Sequence, residues 1–208
     1  MDLFPAAFET ERLRYERLDA AMDALELYEH TGTDAFERLS EHISKDRHHH
    51  PKDTLDYLEE SAEQWREGDR ANWAMFPRDG EAGAGEFAGV ASLIPLWDRR
   101  TARLGVWLLE EYHGRGYAGE RADALLSLSF DRLDLELVAA GHTDGNDASR
   151  KAIEKYVDRW GGEYEGVLRN WIVLDDEPRD LHRYSISADE YATADVDVDL
   201  AVEERLED

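Results

Sequence analysis

The spacing of apolar residues alternates along the chain between a two-residue and a helical period. Residues 8–18 alternate well enough to predict a strand, and residues 19–30 predict a helix with an acidic first turn. Further apolar residues at helical spacing, from Leu55 to Trp65, predict a helix over 51–67. Pro51 suits the first turn of that helix and Gly68 its end.

The second half of the chain mixes both periods and ends without a clear one. Its predicted elements are strands 72–76, 86–96 and 101–109, a helix 116–132, a strand 135–141, a helix 147–160 and strands near 163–174 and 180–187. This order predicts an α+β fold. After Ala188 the chain is acidic, so we expect one domain over 1–188 and an acidic tail over 189–208, mobile or forming a solvated terminal helix.

The charge of the chain is more informative about the protein than its length. The 208 residues are enough for one well-packed domain, yet 49 acidic residues face only 24 basic ones and give a formal net charge of -25. Six Trp, nine Tyr and six Phe indicate a folded protein. An acid-rich, lysine-poor surface resembles proteins of salt-accumulating halophiles, where salt screens the repulsion. A basic partner for the acidic surface is the alternative.

Several classes of function are disfavoured. The chain has no cysteine, so it has no disulfide and no thiolate nucleophile. No apolar run is long enough for a bilayer and residues 1–5 lack a signal-peptide pattern, so we expect a cytoplasmic protein without membrane contact. No basic stripe is present for nucleic acid. His48, His49 and His50 are adjacent and cannot converge on one ion without partners, so we predict no metal site.

The main chemical signal is Gly114-x-Gly116-x-x-Gly119, which lies between an apolar strand and the start of a helix. Glycines there allow a tight turn, and the free N–H groups of the helix's first turn favour an anion such as a diphosphate. The same spacing occurs in dinucleotide-binding folds, but those place it after the first strand, whereas here it lies past mid-chain. A glycine-rich turn that only ends a strand is a second alternative.

The stretch His113-Gly114-Arg115-Gly116-Tyr117-Ala118 resembles the pyrophosphate loop of the GNAT superfamily of acyl-CoA-dependent N-acyltransferases. With the preceding Gly-Val-Trp-Leu-Leu strand it resembles the branch that acetylates ribosomal-protein N-termini. Residues 10–14 and Asn146-x-x-Ser149-Arg150 extend the likeness over residues 10–166. His113, where Gln or Arg is usual, and residues 156–162, longer than the usual Leu-Gly-Phe, depart from the pattern.

This resemblance implies a single GNAT-type domain with a mixed, mostly antiparallel twisted sheet and helices on both faces. It implies transfer of an acetyl group from acetyl-CoA to a primary amine, by direct attack in a ternary complex. The backbone of Leu108 and Leu109 would hold the pantetheine arm, and N–H groups of the glycine turn would hold the phosphates. The implied cofactor-binding residues are Leu108, Leu109, His113, Gly114, Arg115, Gly116, Tyr117, Ala118, Gly119 and Asn146.

Three side chains are candidates for proton transfer. By resemblance Ser149, or Tyr156 farther along the same predicted helix, would protonate the leaving thiolate. His142 is a candidate base because an ordinary imidazole titrates near neutral pH, with an ordered water as the alternative. Asn146 and Ser149 also suit helix capping, and the two roles are compatible.

The acceptor stays open at this level: a protein N-terminus or a small amine fits, and the acidic surface favours a cationic one. Trp97 and Trp171 are candidates for the border of its groove. The sequence also leaves open a homodimer, an acyl-CoA-binding homologue without turnover, and an acidic interaction module.

Overall fold

A computed structural model describes residues 3–41, 47–174 and 176–203. These form one nine-stranded sheet in the order β7-β8-β6-β5-β4-β3-β2-β1-β9. The strands are β1 Ala7–Glu9, β2 Leu13–Arg17, β3 Ala71–Pro77, β4 Gly89–Leu96, β5 Thr101–Leu108, β6 Leu137–Thr143, β7 Glu163–Leu174, β8 Glu177–Ser187 and β9 Ala201–Glu203. All neighbours are antiparallel except β5 and β6, which confirms the mixed, mostly antiparallel sheet.

Helices cover both faces of this sheet. They are α1 Leu18–Ala21, α2 Ala24–Thr31, α3 Asp34–Ser40, α4 Pro51–Glu67, α5 Tyr117–Ser127, α6 Asp147–Arg159 and α7 Ala188–Thr193. One buried cluster packs α1 to α4 against residues such as Val90 and Trp107. A larger one packs α5 and α6 on the other face. The α+β prediction is therefore confirmed.

The predicted strand 8–18 is wrong in one respect, because the chain turns within it. Residues 10–12 form a tight turn between β1 and β2, closed by a hydrogen bond from the Thr10 N–H to the Leu13 carbonyl at 2.8 Å. The turn is held from outside by Glu120 of α5, which accepts hydrogen bonds from Thr10 and Arg12. Alternation along the chain could not reveal a contact with a residue so distant in sequence.

Helix predictions were accurate where local signals were strong. The helix over 51–67 is confirmed as α4, and Gly68 ends it with a left-handed φ of 79°. The predicted helix 19–30 is instead split, because Asp23 accepts hydrogen bonds from the N–H groups of Leu25 and Glu26 and caps a new helix, α2. A separate helix, α3, follows.

Strands β5 and β6 diverge, and this divergence opens the sheet. Their parallel pairing covers Thr101 to Arg103 on β5 and Leu137 to Ala139 on β6. Both strands continue beyond that point, β5 to Leu108, without pairing to each other. The result is a wedge whose backbone hydrogen-bonding groups face open space.

The segment after Ala188 differs from the expected tail over the described residues. Tyr191 of α7 stacks on Trp160 with ring centroids 4.8 Å apart, and β9 adds to the sheet beside β1. Between them, Val196, Val198 and other apolar residues that alternate with aspartates pack against the core. In this two-residue alternation the apolar side chains lie on one face of the segment and the aspartates on the other. Composition does not separate the two faces, which is why it suggested a solvated tail.

Candidate active site

The glycine turn has the backbone geometry of an anion cradle. Gly114 and Gly116 have φ values of 74° and 84°, a region that residues with a side chain rarely adopt. Gly116 is also the residue before the first turn of α5. Within the described chain, the N–H groups of residues 114–118 have no acceptor, so they are free for a ligand. A Cβ at Gly119 would meet nothing within 4 Å, so this side of the helix is open to a ligand.

Arg12 fixes this turn to the start of the sheet. Its guanidinium donates to the carbonyl of Arg115 at 2.8 Å, and its Nε and Nη2 atoms both lie 2.7 Å from the same oxygen, Oε2, of Glu120. Thr10 donates to the same carboxylate at 2.5 Å. Two segments that the sequence analysis singled out separately, residues 10–14 and the glycine turn, are thus one structural unit.

The open edge of β5 leads from the wedge to the turn. The Leu109 N–H donates to the Ala88 carbonyl at 2.9 Å. Hydrogen-bonded and non-hydrogen-bonded pairs alternate along antiparallel strands, so the next pair, Leu108 and Gly89, is one without mutual hydrogen bonds. The backbone groups of Leu108 therefore point towards the wedge. Both backbone groups of Leu109 are used internally, because its carbonyl accepts from Tyr112. Of the two residues expected to hold the pantetheine arm, Leu108 thus has a backbone N–H free among the described residues and Leu109 has no free backbone group there, and both contacts stay predictions.

His113 and Arg115 turn back onto the protein. The Nε2 atom of His113 lies 2.9 Å from the Leu108 carbonyl oxygen, so the ring closes the end of the open edge. Arg115 donates to the Ala82 carbonyl at 2.7 Å and lies over the ring of Tyr112. Both side chains support the turn in these positions, and the phosphate contacts expected of them stay predictions.

Helix α6 begins at the wedge with the predicted cap. The Asn146 side chain accepts a hydrogen bond from the Ser149 N–H at 3.0 Å. Among the described residues the Ser149 hydroxyl has no hydrogen-bond partner, although it is half-buried and lines the cleft. Asn146 therefore does the capping, and the Ser149 hydroxyl is free for another role.

Tyr156 lies two turns farther along α6, on the same side as Ser149. Its hydroxyl is buried and makes no hydrogen bond of normal geometry within the described chain. Burial raises the pKa of Tyr156 to about 12, and the nearby Arg121 guanidinium opposes that shift. Arg121 of α5 is itself buried and donates to the Gly105 carbonyl at 3.3 Å. The two candidates for protonating a thiolate thus differ in access, with Ser149 the less buried.

His142 stands at the wedge on β6 and is buried. Its Nδ1 lies 3.0 Å from the Thr143 carbonyl oxygen, and its Nε2 lies 3.4 Å from the hydroxyl of Tyr184. The ring stacks on His182 with centroids 4.7 Å apart. The His142 ring is therefore already in contact with Thr143, Tyr184 and His182. Its role as a base stays a prediction.

A cleft of about 2220 Å³ joins the glycine turn, the wedge and the start of α6. Its lining holds eleven of the 24 basic residues of the chain but only nine of the 49 acidic ones. The described part of the cleft is thus net basic in a strongly acidic protein, which suits a polyanionic ligand. Trp97 and Trp171 line this cleft, and their place at the border of an acceptor groove stays a prediction.

The histidine run has structural contacts. The Nδ1 atom of His48 lies within hydrogen-bond distance of the hydroxyls of Thr31 and Thr54, and Asp53 accepts from the N–H of His49. In the described ranges no group of three or more potential metal ligands comes together. None of the helices formed by the described residues has the length and apolarity to span a membrane.

Comparison with known proteins decides the family. Residues 12–156 match the acetyltransferase (GNAT) domain family, more than half of the chain. The chain belongs to the GNAT acetyltransferase family. The match begins at Arg12 and ends at Tyr156, so it covers the Arg12 clamp, meaning the contacts of Arg12 with Arg115 and Glu120, together with the glycine turn and most of α6.

Among individual proteins, the chain is 31% identical over 103 residues to YdaF of Bacillus subtilis, whose name assigns it provisionally to the ribosomal N-acetyltransferases. That alignment covers 49% of this chain and 54% of YdaF, so it spans about half the length of this relative.

Two solved structures share the fold. One is RimJ of Mycobacterium smegmatis with CoA-disulfide, with a TM-score of 0.75, 18% identity and coverage of 93% of this chain and 92% of that one. The other is RimL, a ribosomal L7/L12 α-N-protein acetyltransferase in complex with coenzyme A, with a TM-score of 0.72, 17% identity and coverage of 87% and 97%.

Sequence reasoning missed the residues that support the site from a distance. Arg12 and Glu120 were visible only as parts of motifs, and Arg121 looked like an ordinary helix residue. The available signals were the Thr-Glu-Arg start of the matching segment and a charged residue on the apolar face of α5. Neither signal identifies the partner residue, because Arg12 and Glu120 are more than a hundred residues apart in sequence.

Proposed function

We propose that this protein is an acetyl-CoA-dependent N-acetyltransferase that acetylates a primary amine, in a ternary complex of cofactor and acceptor. The observation that carries the proposal is that one basic cleft contains both the free N–H groups of residues 114–118 and the open edge of β5. The ribosomal N-acetyltransferase name of YdaF supports a protein N-terminus as one acceptor class.

The free N–H groups and the α5 helix start fit a diphosphate, and the Leu108 backbone fits an extended amide-containing arm added as a strand. When bound, acetyl-CoA supplies an acetyl group activated as a thioester. The basic lining of the cleft adds long-range attraction for its phosphates, which the net charge of the chain alone would oppose. The cofactor thus fits the residues present.

The wedge lets the acceptor meet the thioester from the face of the sheet opposite α5. The chain's own part in the chemistry is to hold the acceptor amine near the wedge, accept its proton and donate one to sulfur. Ser149 is the proposed donor because its hydroxyl is free, half-buried and in the cleft. His142 is the proposed base; its side chain lies on the α6 side of β6, so it would take the proton across the gap, and a water held by its neighbours is the alternative.

The test has two stages that separate binding from turnover. Calorimetry with acetyl-CoA should give saturable binding, and thiolate release with a set of peptides and small amines should then show turnover. Binding without turnover of any amine would leave a cofactor-binding homologue, and absence of both would reject the proposal.

A further inference from the structure

Three arginines line the cleft at the end remote from the glycine turn. Arg70 directly precedes β3, Arg103 lies in β5 and Arg183 lies in β8. They are referred to below as the arginine cluster.

The register of the sheet puts Arg103 and Arg183 on one face. Arg103 pairs with Ala139 of β6, and Ala139 pairs with Ser185 of β8. Arg183 is two residues before Ser185 and therefore points to the same side. Gly141, which pairs with Arg183, is small like Ala139, so the sheet between the two arginines is free of large side chains.

Arg70 joins them from the other side. Ala71 pairs with Leu93 of β4, which pairs with Leu104 of β5. Arg70, one residue earlier, is therefore level with Arg103 and on its face, with one strand between them. Because strands lie about 4.8 Å apart, long side chains bridge these intervals easily.

The cluster has too few carboxylates for its charge. Burial lowers the pKa of Arg103, and repulsion first from Arg70 and then from Arg183 lowers it further. Arg183 lies 2.9 Å from Glu165. Neither Arg70 nor Arg103 has an ion pair or a hydrogen bond from its side chain within the described ranges. In a chain with 49 acidic residues, three neighbouring guanidiniums of which only Arg183 has an ion-pair partner among the described residues form a site that an external anion would stabilise.

The cluster faces the acceptor side of the wedge. Arg103 is on the same face as Trp107, which packs against Phe36 of α3, and this face is opposite α5. Pairing between β5 and β6 ends at Arg103, so the gap opens beside the next residues of β5. An amine that enters the gap beside Gly105 lies two residues, about 7 Å, along the strand from Arg103.

We propose that Arg70, Arg103 and Arg183 bind a carboxylate of the acceptor, so that the preferred substrate is a primary amine that also carries a negative charge. This rests on the proposed acetyl transfer and specifies its substrate class. It reverses the expectation from the overall charge, because the acidic surface favours cations whereas two of the three guanidiniums of the arginine cluster have no ion pair among the described residues. An N-terminus followed by acidic residues and a free amino acid both present this chemistry.

The experiment compares matched acceptors. Peptides that begin Ser-Glu-Glu, Ser-Gln-Gln and Ser-Lys-Lys, and the free amino acids glutamate and glutamine, are assayed for kcat/KM at one salt concentration. We expect the acidic acceptor of each set to be preferred about 10-fold or more, because a hydrogen bond to a charged group gives at least that factor. Preference within the peptides or within the amino acids identifies the source of the carboxylate.

Variants locate the effect. Arg103→Gln and Arg70→Gln should lower kcat/KM for the acidic acceptor about 10-fold, mainly through KM, with little change for the glutamine acceptors or in acetyl-CoA affinity. Arg103→Lys should restore part of the preference. Arg66→Gln is the control, because Arg66 is exposed on α4 and does not line the cleft.

Binding gives a readout that does not depend on turnover. The N-acetylated Ser-Glu-Glu and Ser-Gln-Gln peptides are titrated into the enzyme with CoA. Tighter binding of the acidic peptide, lost in Arg103→Gln, supports the cluster even if catalysis is slow. Equal binding of both peptides, or a preference unchanged in the variants, would overturn it while leaving acetyl transfer intact. Failure of acetyl-CoA to bind would instead reject the proposed function.

Discussion

Gly116 shows how much a single residue decides in the glycine turn. Its φ of 84° is costly for a β-branched residue, and a Cβ there would lie 3.3 Å from a terminal nitrogen of the Arg12 guanidinium, which supports the turn. The turn's free N–H groups depend on this conformation. Glycine at 116 is therefore required by the backbone as well as by the space a phosphate needs.

We predict that Gly116→Val weakens acetyl-CoA binding at least 10-fold, measured by calorimetry, because the strained turn no longer presents its N–H groups together. Gly161→Val is the matched control. Gly161 also has a positive φ, 71°, a Cβ there would meet nothing within 4 Å, and the residue does not line the cleft. It should lose similar stability and keep its affinity, whereas equal affinities in both variants would remove the phosphates from this turn.

For Ser149 the structure separates catalysis from capping. Since Asn146 bonds to the Ser149 backbone N–H, Ser149→Ala keeps the cap and should leave the melting temperature nearly unchanged. If the hydroxyl protonates the thiolate, kcat should fall at least 10-fold without loss of acetyl-CoA affinity.

Two companion variants complete that test. Asn146→Ala should cost about 1 kcal/mol of stability by removing the cap. Tyr156→Phe should leave stability about equal, because it removes a buried hydroxyl without a hydrogen bond. A loss of kcat in Tyr156→Phe and not in Ser149→Ala would move the proton donor two turns along α6.

At the scale of elements, the Arg12 clamp joins the β1–β2 turn to the glycine turn and α5. We predict that Arg12→Gln weakens acetyl-CoA binding about 10-fold, because the Arg115 carbonyl and Glu120 lose the group that positions them. Arg14→Gln is the matched control, because Arg14 is a nearby arginine whose ion pair is with Glu16 of its own strand and not with α5. Calorimetry with both variants measures the difference, and equal affinities would show that the turn holds its shape alone.

The C-terminal segment is the element that composition described least well. Tyr191 stacks on Trp160, contacts Phe130 and donates to Asp131 at 2.6 Å. We predict that Tyr191→Ala costs about 1–2 kcal/mol in denaturant unfolding, at the low end for an aromatic residue because Tyr191 is only half-buried. Leu25→Ala, at a residue that is 67% exposed, should cost under about 0.5 kcal/mol. Equal losses of stability in the two variants would support the mobile tail instead.

The whole molecule combines a charge of -25 with a net basic cleft. Unscreened carboxylates repel one another across the surface, so we predict that the melting temperature rises from low to molar KCl. Sucrose at matched osmolality is the control, because a solute excluded from the protein surface stabilises the folded state without screening its charges. A melting temperature that stays flat or falls in KCl would contradict the halophilic interpretation and favour a basic partner for the acidic surface.

The sequence determined what depends on neighbours along the chain. The helix 51–67, the strand 163–174 and the Asn146 cap were predictable, because proline, glycine, cap residues and apolar period act within a few residues. The glycine turn was recognisable for the same reason, since its glycines and the helix that follows are local.

Only the tertiary structure decided what depends on residues far apart in sequence. The division between β1 and β2 follows from Glu120, the order of the C-terminal segment follows from Trp160 and β1, and the loss of Leu109 from the open edge follows from Ala88 and Tyr112. The arginine cluster is the clearest case. Arg70, Arg103 and Arg183 lie in three separate segments of an acid-rich chain, and only the register of the sheet brings their charges to one face. Charge composition sums over the molecule, whereas a ligand experiences the few groups within a Debye length.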